Sequence, residues 1–97
     1  MGYVEIEQFS LAEGVTAEEF RQRDADLQVW SYVHRDGLVR RTTAIDGDGG
    51  VLVVTLFSST SEPLAVAGDA PNAAPVASFG ASIDPATYRR AVFGDLG

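Results

Sequence analysis

Asp24 has the most unusual setting of any residue that could do chemistry in this 97-residue chain. At about 100° of arc per helical residue, Phe20, Asp24, Leu27, Ser31 and His34 fall within roughly 80° of one face, with Trp30 at its edge. A carboxylate between Phe20 and Leu27 on an apolar face must pair, shift its pKa or cost stability. Two readings stay open. In one, Asp24 is a general base or a ligand-anchoring acceptor in a mostly apolar pocket. In the other it lies at the border of the face and bonds Arg23, Gln28 or an arginine from a neighbouring strand. His34 is the only histidine. Its ordinary pKa suits proton transfer near neutrality, and its place at the end of the helical pattern equally suits a cation that caps the helix dipole.

A second set of acidic groups lies near the N-terminus. In YVEIEQFSL, residues 3–11, side chains two apart share a face if the segment is a strand. Tyr3, Glu5, Glu7 and Phe9 then form one set, and Val4, Ile6 and Gln8 the other. Either Glu5 and Glu7 point into the protein with Phe9, or that face lies at a seam or rim with only Phe9 tucked in. Arg40-Arg41 and Arg89-Arg90 are paired arginines. In each pair one arginine faces each side of a strand, either guarding an edge or neutralising Glu5, Glu7 or Asp24. Trp30 and Tyr32 read as core and interface residues before ligand-stacking ones.

Other chemistries lack their residues. With one histidine and no cysteine there is no typical zinc site, and no metal is expected. Neither a dinucleotide fingerprint, a P-loop nor a nucleophile elbow occurs, so no cofactor is expected. Seven basic against 14 acidic residues give a net charge of −7, which repels phosphate backbones and anionic lipid. The expected partners therefore include neither nucleic acid nor membrane. No apolar run approaches the roughly 18 residues of a bilayer span, and the N-terminal segment has no signal-peptide pattern. The expected location is the cytoplasm.

The elements that must position these residues follow from periodicity and punctuation. Near-alternation over residues 3–11 predicts a strand. Thr16-Ala17-Glu18-Glu19 is a capping box that opens a helix to about His34, with Gly37 in the left-handed position beyond it. Leu38–Ile45 and residues 51–58 are rich in β-branched side chains, and Asp46-Gly47-Asp48-Gly49-Gly50 between them predicts a hairpin. Ser61 and Pro63 suggest a short helix ending at Gly68. Asn72 caps a second helix over about residues 73–82, which Asp84-Pro85 ends. Residues 87–93 predict the last strand. The order β-α-β-β-α-β is the split βαβ plan of one domain over residues 1–97, with a four-stranded antiparallel sheet and both helices on one face. The uncovered sheet face, with Val4, Ile6 and part of the hairpin, is too apolar to leave in water. Burying it against a second copy is the expected solution. A homodimer also suits a chain that buries only roughly 60–65% of its unfolded surface.

With this element order, Phe9-Ser10-Leu11 ending the first strand, Thr16-Ala17-Glu18-Glu19-Phe20 opening the helix and Gly37-Leu38 leading into the second strand, the chain resembles the dimeric α+β barrel superfamily. That group includes stress-responsive Dabb-type domains, small polyketide cyclases and cofactor-free antibiotic-biosynthesis monooxygenases. The resemblance implies a ferredoxin-like fold, a sheet-to-sheet homodimer, and a pocket in each monomer between sheet and helices. It also implies that the Phe9 set faces the helices. The small cyclases use a pocket tyrosine with a histidine from the second helical segment, and residues 73–79 hold no histidine; His34 is not clearly placed as a haem ligand. The expected function is a cofactor-independent enzyme acting on an apolar or aromatic substrate by cyclisation, isomerisation or oxygenation. Asp24 would be base or anchor, with His34, Glu5 and Tyr3 as helpers, Glu7 beside them, and Phe20, Leu27, Trp30 and Phe79 as walls. The alternative is a non-catalytic homodimeric domain that binds a ligand or a protein, its inward charges paired off.

Overall fold

Thr16 begins the first helix as its sequence suggests. The structure, a computed structural model, describes residues 2–58 and 73–96. Helix α1 spans Ala17–His34. Thr16 Oγ1 accepts the Glu19 N–H at 3.1 Å, satisfying one of the free donors of the first turn. In a full capping box the Glu19 side chain would accept the Thr16 backbone N–H. The Glu19 carboxylate takes the Thr16 hydroxyl at 3.2 Å. At the far end, the Arg35 N–H closes on the Ser31 carbonyl at 2.9 Å, and Gly37 has φ 76°. That left-handed geometry favours glycine.

Strands β1 (Tyr3–Ser10), β2 (Leu38–Ile45), β3 (Gly50–Phe57) and β4 (Arg89–Gly94) form one antiparallel sheet in the order β2-β3-β1-β4. The β2–β3 hairpin closes as its Gly/Asp run predicts. Asp46 Oδ1 accepts the N–H groups of Asp48 and Gly50, both at 2.8 Å. Those bonds, Gly50's first, hold the Asp46 carboxyl below its ordinary value. A side chain at Gly50 would meet the Asp46 carboxylate at 2.5 Å, so the turn needs a glycine there.

Helix α2 is short, Ala74–Gly80, with Pro75 in its first turn. A 3₁₀ turn, Pro85–Thr87, then leads into β4, which begins two residues later than the sequence suggests. Asp84 caps this turn by accepting the Ala86 N–H at 3.1 Å. The expected helix from Ser61 to Gly68 and the expected cap at Asn72 lie outside the described residues.

Both helices lie on one face of the sheet, and an aromatic triangle makes the contact. Phe9 of β1 meets Phe20 of α1 and Phe79 of α2 edge-on, at 6.0 and 5.8 Å between ring centres. Phe20 and Phe79 lie 5.4 Å apart. With Val51 and Val53 these residues form the buried core, and edge-on rings add to the gain from burial itself. The Arg23 guanidinium donates to the fully buried Ser82 hydroxyl at 3.0 Å, fastening α1 to the segment after α2.

A bulge fixes which arginine of the Arg40-Arg41 pair turns inward. Leu38 pairs with Phe57, but Arg40 pairs with Leu56, leaving Val39 as the extra residue. Without the shift, Arg40 would stand opposite Thr55 on the helix face. With it, Arg41 does, because one inserted residue exchanges the faces of everything after it. The opposite face carries Val4, Ile6, Val54 and Leu56 half-buried, with Leu52 and Phe93 exposed.

Candidate functional site

Glu5 and Glu7 both face the helices, in the set that ends at Phe9. Glu5 stands beside Thr55 of β3 and Val92 of β4. It is 3% exposed, so its charge must be compensated. Arg90 does this from β4, with Nη2 at 2.6 Å and Nε at 2.8 Å from Oε2. Arg35, just past α1, places Nη1 3.7 Å from Oε1, and its guanidinium lies 4.6 Å above the Phe57 ring. Among the described residues Glu5 Oε1 accepts no hydrogen bond, and the neighbouring Thr55 hydroxyl is likewise buried without one.

Glu7 has a different environment. Its register partner on β4 is Arg90, but that guanidinium reaches diagonally to Glu5. Glu7 Oε2 instead accepts the Tyr88 hydroxyl at 2.6 Å. Burial raises the Glu7 pKa above 4.5, and the negative charge of Glu5 adds to the rise. The Tyr88 hydrogen bond and the arginines Arg41 and Arg35 oppose it. Burial also raises the Tyr88 pKa, with the Glu7 hydrogen bond next in weight. The phenol is therefore the donor in this pair.

These groups stand on the wall of a cleft of about 380 Å³ between sheet and helices. Its apolar side is Leu27, Trp30, Val76, Phe79 and Ile83, and its polar side is Glu5, Glu7, Arg35, Arg41, Tyr88 and Arg90. A largely apolar cleft with a few convergent polar groups is the usual form of a small-molecule site. A larger hollow, about 460 Å³, lies against the hairpin turn. It has no buried titratable group, and among aromatic side chains only Phe9 borders it.

Five expected site residues come together here: Glu5, Glu7, Leu27, Trp30 and Phe79. Four do not. Asp24 lies off the wall, its Oδ1 taking Arg41 Nη1 and the Thr43 hydroxyl, each at 2.8 Å. The inward turn of Arg41 at the bulge creates this pairing, so of the two readings of Asp24 the structure matches the one in which it bonds an arginine from a neighbouring strand. Phe20 is 3% exposed in the aromatic core, about two turns of α1 before Leu27, where the helix reaches the cleft. Tyr3 is 38% exposed at the end of β1, where the sheet stops. His34 stacks on the outer side of Trp30, 4.8 Å between ring centres. Its Nδ1 lies 2.9 Å from the Trp30 carbonyl, which places it as a helix cap rather than as a cleft residue.

Sequence reasoning missed Arg35, Arg41 as a wall residue, and Tyr88. The signal for Tyr88 was Asp84-Pro85, which starts a capped turn and so delays β4 past it. Among the described residues no group of three or more His, Asp or Glu side chains is placed to hold a metal ion. Nor is any helix there long and apolar enough to cross a membrane.

No family model matches the sequence, and no curated protein matches it. Among solved structures the chain is similar to SnoaB, a cofactor-independent oxygenase from Streptomyces nogalater. The two are 16% identical, the match covers 99% of this chain and 94% of that one, and the TM-score is 0.72. At that identity the likeness is one of fold, the ferredoxin-like fold that the sequence suggested.

Proposed function

We propose that this chain is a cofactor-independent enzyme acting on an apolar or aromatic small molecule in the cleft between sheet and helices, with Glu7 as proton acceptor. The observation that carries this reading is Glu7 itself. It is a half-buried carboxylate with a raised pKa, at the polar wall of a cleft otherwise made of Leu27, Trp30, Val76, Phe79 and Ile83. Raising a carboxylate's pKa makes its anion a stronger base. Excluding water strengthens every charge interaction that the transition state makes. Fold likeness to a cofactor-independent oxygenase supports the same class of chemistry.

Cyclisation, isomerisation and oxygenation of a carbon acid share a first step. The substrate's C–H bond breaks, its proton passes to the Glu7 carboxylate, and the electron pair stays on the substrate as an enolate. The Tyr88 hydroxyl holds Glu7 Oε2 in place, leaving Oε1 for the proton. Arg41 and Arg35 lie close enough to lower the Glu7 pKa, so their charges also favour the anion that forms. Glu5, held by Arg90 and Arg35, fixes the positions of those two arginines rather than moving protons.

The reading includes a homodimer formed through the outer sheet face, where Val4, Ile6, Leu52, Val54, Leu56 and Phe93 are too contiguous to leave in water. A non-catalytic binding domain is the second reading, favoured by the ion pairing of Glu5 and Asp24. The two separate in one experiment. Hydrogen–deuterium exchange at the acidic carbon of β-tetralone is followed by proton NMR in D₂O. The enzyme reading predicts exchange above background that Glu7→Gln abolishes. Background exchange in the wild type, with β-tetralone bound, contradicts it and leaves the binding domain.

A further inference from the structure

The cleft carries a charge that the chain as a whole does not. The formal net charge is −7, yet three of the seven basic residues, Arg35, Arg41 and Arg90, stand on the wall of this one cleft beside two glutamates. Glu5 is taken up by Arg90 and Arg35.

Arg41 is the cation with capacity to spare. It is 5% exposed, and Nη1 is the nitrogen it gives to Asp24 at 2.8 Å and to Gln28 at 3.4 Å. Asp24 is not on the cleft wall, and Arg41 is. Nε and Nη2 make no hydrogen bond among the described residues. Those two N–H groups form the side edge of the guanidinium, the edge that matches both oxygens of a carboxylate at once. The guanidinium carbon lies 5.3 Å from the centre of the Phe79 ring, so the guanidinium adjoins an aromatic wall. One such edge balances one negative charge. The two glutamates count against a second, which favours a monoanion over a phosphate ester.

We propose that the cleft takes an aromatic monocarboxylate, its carboxylate seated on the Nε/Nη2 edge of Arg41 and its ring among Leu27, Trp30 and Phe79. This inference rests on the reading of the cleft as a substrate site and names the class of substrate. Arg41 is then the specificity-determining residue, and Asp24 positions it by holding Nη1. Proton transfer stays with Glu7.

The test is calorimetric titration with naphthoate and with naphthamide, which has the same ring and a neutral head. The wild type should bind naphthoate at least about tenfold more tightly. Arg41→Lys keeps a cation for Asp24 and loses the planar edge. It should bring the two affinities close to equality. The double variant Asp24→Leu/Arg41→Met removes both charges, so neither is stranded if the lysine variant fails to fold, and it should behave alike. Equal affinities in the wild type overturn the inference and leave the substrate-site reading standing. A naphthoate preference that survives in either variant overturns the assignment to Arg41. Failure of both ligands to bind the wild type overturns the substrate-site reading and the inference with it.

Discussion

The Tyr88 hydroxyl lies 2.6 Å from Glu7 Oε2, joining the lead-in to β4 to the middle of β1. The bond fixes one oxygen of a carboxyl whose pKa burial has raised. A carboxyl that holds its proton more tightly when folded than when unfolded stabilises the fold in its protonated form. Between 4.5 and the raised folded value, the native state binds more protons than the unfolded one. Stability therefore falls as pH rises through that window, and the cost of the buried charge is fully present above it. Glu7→Gln, which still accepts from Tyr88, should remove this slope and leave the protein more stable at neutral pH. Urea denaturation at a series of pH values checks it. An unchanged slope contradicts the burial argument.

The Asp24–Arg41 pair predicts a cost of its own. Arg41 is buried, so removing its partner strands a charge. Asp24→Leu should destabilise by about 3 kcal/mol. Asp24→Leu/Arg41→Met should recover most of that, because two apolar side chains of suitable volume then meet. Chemical denaturation of the two variants measures the difference. A stabilising Asp24→Leu would show that the pair costs more than it contributes.

Thr55 makes the opposite prediction. Its buried hydroxyl has no hydrogen-bond partner among the described residues, and leaving such a group unpaired costs about 1–3 kcal/mol. Thr55→Val keeps the shape and removes the polar atom, so the thermal midpoint should rise. A fall would mean that the hydroxyl is satisfied in solution.

The apolar outer face predicts association. Native mass spectrometry of the wild type should give the mass of two chains. Val54→Glu, which places a carboxylate in the centre of that face, should give one. A wild-type monomer contradicts the sheet-to-sheet homodimer.

Much of the fold was legible because local chemistry decides it. Thr16 and Gly37 mark the ends of α1, and the Gly/Asp run at 46–50 marks the hairpin, each for a reason within a few residues of chain. The inward set Glu5, Glu7 and Phe9 followed from the two-residue period once the face was chosen. What was not legible depends on register. The bulge at Val39 decides that Arg41 rather than Arg40 turns inward, and β-branched periodicity carries no mark of it. Asp24 was visible as an anomaly, but its partner arrives through that bulge, so a paired carboxylate and a pocket base read alike in sequence. Tyr88 belonged by pattern to the last strand. The capped turn at Asp84 moves it out of the strand and over Glu7.

The most direct test of the account is NMR shift mapping of the labelled protein during titration with β-tetralone. Trp30 is the only tryptophan, so its indole N–H is a single signal on the cleft wall. The account predicts saturable shifts at Trp30, Leu27, Phe79, Glu7 and Tyr88. Shifts confined to Val4, Leu52 and Val54 on the outer face, or none that saturate, would contradict it.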